Sequence, residues 1–315
     1  MRTRSHLTLK SMAWATALAL ALSGCVTAPQ KRGGSSSAYD ALYDGKSDLA
    51  YVTELPVSSA AEAIALGDAA FMERDLDKAL FQYIRALKKD GDNADALYKI
   101  GVIHGARGNT LLAEAAYRWA LRDEPNHAGA LSGLGIILMK QRQYDEANAK
   151  LSAAIRANPS LPDAHNALGI LADMERDYAR AQDHYERALA IVKDSPEVIN
   201  NLGYSRYLSG NDKGAITAFQ DALRIDPSYK RAWRNLGLVY AKKGQYDKAL
   251  DALSKVEDLP KAYNDVGYVA MLGGDLSEAE GFFDEAMRLS PQYYELAGKN
   301  AQRLQMLKKD KTAAR

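Results

Sequence analysis

The sequence predicts an all-α fold of seven consecutive helix pairs, and two periodic patterns carry that prediction. A glycine recurs every 34 residues and then once after 30, at Gly67, Gly101, Gly135, Gly169, Gly203, Gly237 and Gly267. An alanine follows each glycine by twelve residues, at Ala79, Ala113, Ala147, Ala181, Ala215, Ala249 and Ala279. A fixed period of this length indicates stacked units, each of which buries its apolar surface against its neighbours.

Each repeat is predicted to contain two antiparallel helices that lie close together. The glycine permits this approach because a side chain at its position would hold the second helix away. A large apolar side chain fills the space between units, at Tyr83, Tyr117, Leu151, Tyr185, Phe219, Leu253 and Phe283. The turns carry residues that cap helix amino termini, at Asp75, Asn109, Asp177, Asn211 and Asp275. Glycines suited to a left-handed helix end precede four turns, at Gly108, Gly210, Gly244 and Gly274.

This pattern resembles the tetratricopeptide repeat (TPR) family over residues 60–293, and Trp233 and Tyr240 are also residue types that the family favours. The resemblance implies a right-handed TPR superhelix whose first helices line a concave groove. The predicted repeats span residues 60–93, 94–127, 128–161, 162–195, 196–229, 230–259 and 260–293. Residues 294–315 are predicted to form a C-terminal capping helix and tail, since a solenoid needs a polar end to stay soluble.

The sixth repeat departs from the pattern. It is four residues short, and it has Val256 at a second small-residue position, where the other repeats have Ala86, Ala120, Ala154, Ala188, Ala222 and Ala286. The loss of about one helical turn predicts either a changed tilt of the seventh repeat or a deletion that the fold tolerates.

The amino terminus has the composition of an export signal. Arg2, Arg4 and Lys10 precede an apolar stretch over residues 12–22. That stretch is shorter than the roughly 20 residues of a membrane-spanning helix, and the order of the regions is typical of a signal peptide. Residues 1–24 are therefore predicted to be removed on export.

A lipid attachment site closes this signal. Leu22, Ser23, Gly24 and Cys25 resemble the lipobox of bacterial lipoproteins. The resemblance implies diacylglycerol and an acyl chain on Cys25, which hold the protein on a membrane; no other cofactor is expected. Val26, in place of aspartate, favours the outer membrane and a periplasmic location by resemblance to the sorting rule of enteric bacteria. An ordinary signal peptide with a cysteine at its cleavage site is the alternative.

Residues 25–59 are predicted to form a lipidated flexible tether. The stretch over residues 29–37 is polar and rich in glycine and serine, so it cannot bury apolar surface. Tyrosine, leucine and valine residues between positions 38 and 57 indicate that part of the tether docks on the body, at a place that the sequence does not reveal.

Composition argues against several function classes. The formal net charge is +1, which gives no reason to expect nucleic acid as a partner. The single cysteine rules out a disulfide within the chain and a zinc cluster of cysteines. The sequence contains no His-Glu-x-x-His run, phosphate loop or serine elbow. We therefore expect no catalytic residue, metal or small-molecule substrate, and we interpret His165 and His184 as structural.

The predicted binding surface is the groove between first helices, where residues are assigned by resemblance to the family. The predicted protein- or peptide-binding residues are Asn166, Asn200, Tyr204, Tyr207, Arg234, Asn264 and Tyr268. Asparagine carries a donor and an acceptor, so it can hold a peptide backbone of any sequence. Packing between neighbouring first helices is the alternative, but burial of these polar groups without partners is costly. This cost favours exposure for Asn200, Arg234 and Asn264.

The combination of lipobox, polar tether and repeat array resembles the TadD-type lipoproteins of tight-adherence (Flp) pilus assembly. The runs over residues 263–268 and 289–293 resemble that group as well. The resemblance implies a pilotin-like scaffold with a secretin or other pilus assembly subunits as partners. A pilotin for type IV pili and an adaptor for periplasmic proteases or cell-wall hydrolases remain alternatives.

Overall fold

The computed structural model describes residues 39, 41–44, 57–290 and 295–313, and it divides the chain into two compact units, residues 1–123 and 124–315. The predicted signal, the lipobox and Cys25 lie outside the described residues. Within the described ranges, no helix is both long and apolar enough to cross a membrane.

The described part of unit 1 contains two helix pairs. Its four helices are α1 (Ala60–Met72), α2 (Leu76–Lys89), α3 (Ala94–Ala106) and α4 (Thr110–Asp123). Turns of three residues join α1 to α2 and α3 to α4, so the helices of each pair run antiparallel.

Unit 2 continues the alternation of first and second helices and ends in a single longer helix. Its first helices are α5 (Ala128–Lys140), α7 (Pro162–Met174), α9 (Pro196–Leu208), α11 (Lys230–Lys242) and α13 (Leu259–Gly273). Its second helices are α6 (Tyr144–Ala157), α8 (Tyr178–Ile191), α10 (Asp212–Ile225), α12 (Tyr246–Ser254) and α14 (Leu276–Leu289), and α15 (Glu295–Ala313) follows them. The fifteen helices, with no strand among the described residues, confirm the predicted all-α class of paired helices.

The repeat glycines are the points of closest approach within each pair. A Cβ atom on Gly101 would lie 2.4 Å from Cε1 of Tyr117, and one on Gly135 would lie 2.6 Å from Cγ of Leu151. Real carbon atoms do not approach so closely. Each pair therefore depends on the absence of a side chain at this position.

The turns after the first helices use a left-handed residue in every repeat. Four of these are the predicted glycines, with φ between 68° and 93°, and the other three are Arg74, Arg142 and Arg176, with φ between 61° and 64°. Of the predicted caps, the side chains of Asp75, Asp177 and Asn211 accept hydrogen bonds from backbone amides of the following helix. Asp275 makes no such bond and accepts the hydroxyl of Tyr246 instead.

The sixth repeat is short because its second helix is short. Helix α12 has nine residues, whereas α2, α4, α6, α8, α10 and α14 have fourteen each. Residues 255–258 lead directly into α13, and the side chain of Glu257 is only 1% exposed. The deletion thus carries a carboxyl group into the interior of unit 2.

Part of the predicted tether is packed on unit 1, as expected for the segment between positions 38 and 57, and the structure gives its place. Leu42 is fully buried, and its carbonyl accepts a hydrogen bond of 2.8 Å from Nε2 of His104. Asp44 forms an ion pair of 2.6 Å with Nη1 of Arg107 and accepts a hydrogen bond from Asn109. The predicted docking therefore occurs at residues 39 and 41–44.

These tether residues lie over α3, between the second helices α2 and α4. The ring of Tyr39 meets the ring of Trp119 on α4 edge-on at 6.1 Å, and its hydroxyl donates to the carbonyl of Gly91. The ring of Tyr43 lies 6.5 Å from that of Phe81 on α2. We call this site the second-helix groove of unit 1.

Candidate functional site

The first helices of unit 2 expose a row of large apolar side chains. Positions nine, twelve and thirteen of a repeat lie on one face of its first helix because they are three and four residues apart. At these positions Met174 is 52% exposed, Tyr204 43%, Leu208 36% and Leu272 64%. We call these four residues, together with Tyr207 and Tyr268, the first-helix face.

Two tyrosines on α9 form the centre of this face. The rings of Tyr204 and Tyr207 lie 6.1 Å apart. Tyr207 packs partly on the core, and Nζ of Lys242 stands 4.7 Å from its ring centre. Tyr204 is more exposed and extends the aromatic surface outward. The pair therefore offers one anchored ring and one ring available for contact with a partner.

The predicted groove asparagines are placed differently from the prediction. Asn200 is 3% exposed and Asn264 is 2% exposed, so the expectation that they are exposed is wrong. Each accepts a hydrogen bond of 2.9 Å through Oδ1 from an asparagine of the next first helix or of α15, namely Asn235 and Asn300.

The half-buried Asn166 repeats this contact. Its Oδ1 accepts a hydrogen bond of 3.0 Å from Nδ2 of Asn201 on α9. The three pairs form an asparagine ladder that links α7 to α9, α9 to α11 and α13 to α15, and burial is possible because every member has a partner. A second asparagine stands 35 or 36 residues after each predicted one, and this spacing is the feature of the sequence that indicates the pairing.

Arg234, the remaining polar prediction, has a side chain that is 44% exposed, as predicted, and it also forms an ion pair with a buried carboxylate. Its Nε lies 2.6 Å from Oε1 of Glu257, and Nζ of Lys261 lies 3.0 Å from the same oxygen. Burial raises the pKa of Glu257, but the hydrogen bonds from Arg234 and Lys261 outweigh it and hold the pKa below its usual value. Burial and the neighbouring Glu257 raise the pKa of Asp265. This cluster stabilises the junction between the sixth and seventh repeats.

The tyrosines therefore remain as binding candidates, and three apolar residues join them. Tyr268 is half-buried beside the core of the seventh repeat. Met174, Leu208 and Leu272, at the thirteenth position, were not predicted. The signal for Leu208 was its spacing of four residues from Tyr204, which places both side chains on one helix face.

His165 and His184 contact each other in the fourth repeat. Their Nδ1 atoms are 3.2 Å apart, and Nε2 of His165 donates to the carbonyl of Pro159 at 3.0 Å. Trp233 makes the equivalent bond to Pro227 at 2.8 Å, which gives His165 a structural role. The described part of the chain contains no group of three or more histidine, cysteine, aspartate or glutamate residues placed to hold a metal.

Acid is expected to weaken unit 2 through His184. Burial lowers the pKa of His184, and the neighbouring His165 lowers it further. Between this lowered pKa and the unfolded value of about 6.5, the unfolded state binds more protons, so stability falls as pH falls through that window. The fifth and sixth repeats have alanine at the position of His184, namely Ala218 and Ala252. His184→Ala should therefore be tolerated, and it should reduce the loss of melting temperature on acidification.

The measurement is thermal unfolding at several pH values from neutral to mildly acidic. Gln182→Ala on the same helix removes a side chain that does not titrate and should leave the acid sensitivity unchanged. Part of the sensitivity should remain in both variants because burial also lowers the pKa of His104 in unit 1. Identical acid sensitivity of His184→Ala and the parent protein would contradict the assignment.

Comparison with protein families gives one consistent result. Tetratricopeptide repeat models match residues 64–110, 98–147, 133–197 and 230–259, and a further TPR repeat model matches residues 203–244. Together these matches extend over more than half of the chain.

Curated relatives resemble short parts of the chain. BBSome complex member BBS4 of Bos taurus is 32% identical over 95 residues, which are 29% of this chain and 18% of that protein. Superkiller protein 3 of Schizosaccharomyces pombe is 40% identical over 67 residues, which are 21% of this chain and 5% of that protein. The chain thus spans less than a fifth of either relative.

Solved structures resemble larger parts. Pseudomonas aeruginosa pilF has a TM-score of 0.52 and 20% identity, covering 69% of this chain and 99% of that one. A tetratricopeptide repeat protein of Parabacteroides merdae has a TM-score of 0.51 and 16% identity, covering 79% and 100%. The Cut9 and Hcn1 hetero-tetramer has a TM-score of 0.55 and 18% identity, covering 82% and 50%. At these identities the likeness concerns the fold alone.

Proposed function

The chain belongs to the tetratricopeptide repeat family of protein-binding scaffolds, and from this we propose that unit 2 binds a segment of a partner protein across its first-helix face. The observation that carries the proposal is the exposure of Met174, Tyr204, Leu208 and Leu272 at equivalent positions of the first helices α7, α9 and α13. Exposed apolar surface of this kind typically marks an interaction site, and tyrosine, methionine and arginine are enriched in protein interfaces.

The proposed partner is a secretin or another assembly subunit of a Flp/Tad pilus system. In this proposal the protein is a TadD-like, pilotin-like lipoprotein, anchored to the outer membrane through acyl chains on Cys25 and facing the periplasm. Support comes from the sequence: the lipobox Leu22-Ser23-Gly24-Cys25, the polar stretch after it and the repeat array resemble that group.

A site-directed photocrosslink tests the partner and the face together. A benzophenone amino acid replaces Tyr204 in one variant and Arg187, on second helix α8, in the control; the Arg187 side chain is 62% exposed. Crosslinking in the native envelope, followed by mass spectrometry, should recover a secretin or pilus assembly subunit from position 204 only. Recovery of a protease or murein hydrolase would replace the pilus assignment with an adaptor. Equal recovery from both positions would refute binding at this face.

Tyr204→Ala should weaken binding of the captured partner by about 1–2 kcal/mol, roughly tenfold, because aromatic residues carry a large share of interface energy. Folding should be preserved because the side chain is half exposed in the free protein. Titration of the purified partner, with circular dichroism of each variant, provides the measurement. Unchanged affinity would remove Tyr204 from the site.

Cys25→Ser should release the protein from the membrane, since acyl chains supply the proposed anchor. Fractionation of the envelope should then find the variant away from the outer membrane while its helix content stays unchanged. A Ser23→Ala variant, which keeps the cysteine and a small residue before it, is the matched control. Continued sedimentation of Cys25→Ser with the outer membrane would refute lipid anchoring.

A further inference from the structure

The second-helix groove of unit 1 shows how this protein binds a short segment on the side of its second helices. Leu42 is fully buried there, and its carbonyl receives a hydrogen bond from His104. The carboxylate two residues later, Asp44, pairs with Arg107 and Asn109. A leucine, a backbone carbonyl and a carboxylate are thus recognised together.

Unit 2 contains the same kind of groove without an occupant from the described chain. It lies over first helix α11, between second helices α10 and α12, and forms a pocket of about 440 Å³. Its lining includes Leu223, Trp233, Leu236, Tyr240, Lys248 and Ala252. Trp233 and Tyr240 are half-buried, whereas the equivalent Leu97 and His104 of unit 1 are fully buried.

The recognition residues of the unit 1 groove recur in unit 2 at a constant offset of 136 residues, four repeats of 34. His104 corresponds to Tyr240, Arg107 to Lys243 and Asn109 to Gln245, so each hydrogen-bond donor is replaced by another donor. Small Ala116, on second helix α4, corresponds to Ala252.

These donors are available in unit 2. Lys243 is exposed and forms no ion pair with the described residues. Gln245 stands at the cap of α12 but makes no side-chain capping bond. The hydroxyl of Tyr240 accepts a hydrogen bond of 3.2 Å from Gln220, which leaves its own proton free to be donated.

In the other grooves within unit 2, the chain's own side chains make contacts at or across the equivalent place. In the fourth repeat His184 stands at the position equivalent to Ala252 and contacts His165. In the seventh repeat Phe282 occupies it, with its ring 5.2 Å from Tyr246 and 6.2 Å from Tyr263. In the fifth repeat, Arg206 and Glu186 approach within 3.7 Å across the groove.

We propose that the groove over α11 is a second protein-binding site, which takes a turn segment with a leucine followed two residues later by aspartate or glutamate. The leucine enters the pocket beside Ala252, and its carbonyl accepts the hydroxyl proton of Tyr240. The carboxylate pairs with Lys243 and Gln245, as Asp44 pairs with Arg107 and Asn109 in unit 1.

An aromatic residue in the partner is not needed. In unit 1 the hydroxyl of Tyr39 donates to the carbonyl of Gly91. In unit 2 the carbonyl at the same repeat position belongs to Pro227, and it already accepts Nε1–H of Trp233. Trp233 of the chain itself therefore takes the place that the ring of Tyr39 has in unit 1. The site lies apart from the first-helix face, so its test is independent of the proposed function.

The probe is a fluorescein-labelled peptide with the sequence of residues 37–46, and the measurement is its fluorescence polarisation with the purified full chain. Saturable binding is expected. Lys243→Glu should weaken it about tenfold, as expected when attraction between opposite charges becomes repulsion. Lys140→Glu on α5 makes the same charge change at an exposed position outside this groove and should have no effect. Peptides with alanine for Leu42 or asparagine for Asp44 should also bind about tenfold more weakly.

Ala252→His supplies a second variant, since it introduces the residue type that closes the fourth repeat. It should abolish binding, and its melting temperature establishes whether the fold is retained. If Ala252→His fails to fold, Lys243→Glu still tests the proposal, because Lys243 is exposed. Absence of saturable binding to the parent protein would overturn the proposal. So would binding that is lost in Arg107→Glu but kept in Lys243→Glu, because the peptide would then be exchanging into unit 1.

Discussion

Gly169→Ala is expected to destabilise unit 2 by about 2–3 kcal/mol, the usual cost of forcing an extra carbon into a packed interior. The new Cβ would lie 2.5 Å from Cε1 of Tyr185 on the paired helix. That ring cannot withdraw easily, because Tyr185 is 1% exposed and its hydroxyl donates to Oδ2 of Asp173 at 2.9 Å. The helices of the fourth repeat must therefore separate or the hydrogen bond must break.

Gly273→Ala is the matched control. Gly273 is also in a first helix, but a Cβ there would meet no atom within 4 Å. Alanine has the higher helix propensity by about 1 kcal/mol, so this variant should be unchanged or slightly more stable. Urea unfolding followed by circular dichroism measures both variants. Equal stability of the two would show that the repeat glycine does not set the distance between paired helices.

Asn235→Leu is expected to cost about 2 kcal/mol, because it leaves the buried Oδ1 of Asn200 without its hydrogen-bond donor. Oδ1 of Asn200 accepts its bond from Asn235 at 2.9 Å, and the Asn200 side chain is 3% exposed. The remaining contact of Asn200, to Asn201, is long at 3.5 Å. The expected loss of stability therefore comes mainly from the unsatisfied Oδ1 of Asn200 and less from the lost contact itself.

The double variant Asn200→Leu/Asn235→Leu separates these two causes. Replacement of both partners by apolar groups of similar size should recover much of the lost stability, since no unsatisfied group remains. Urea unfolding of the parent, both single variants and the double variant completes a mutant cycle. If the double variant loses the sum of the two single losses, the asparagine pair does not act as a unit.

The ladder also changes how a binding experiment on Asn200 would be understood. A partner cannot reach a side chain that is buried between α9 and α11 without separating the helices. Weaker binding of an Asn200 variant would therefore reflect lower stability. Tyr204, one turn away and 43% exposed, is the residue on α9 that tests contact with a partner.

The helix pairs could be predicted from the sequence because their determinants are local and repeated. Gly101 and Tyr117 meet within one repeat, so their spacing recurs in every unit and reveals the contact. The partners of the asparagine ladder belong to neighbouring units. A single asparagine such as Asn200 suggests exposure, and only the pairing with Asn235 accounts for its burial.

Two other features had weaker signals. The aromatic residues of the tether indicated docking, but its place depends on Phe81, His104 and Trp119, which three different helices of unit 1 bring together. The shortened sixth repeat was visible as a deletion. Its result, the burial of Glu257 between Arg234 and Lys261, depends on where the chain turns after α12.

The brevity of α12 has a consequence for cooperativity. In a linear array each repeat is stabilised mainly through its neighbours, so the repeat with the smallest interfaces sets the boundary between cooperative folding units. With nine residues instead of fourteen, α12 contributes fewer internal hydrogen bonds than the other second helices. The segment from α13 to α15 should therefore open as a foldon of its own, with the ion pairs of the buried Glu257 and the hydrogen bond from Tyr246 to Asp275 as polar links to the preceding repeats.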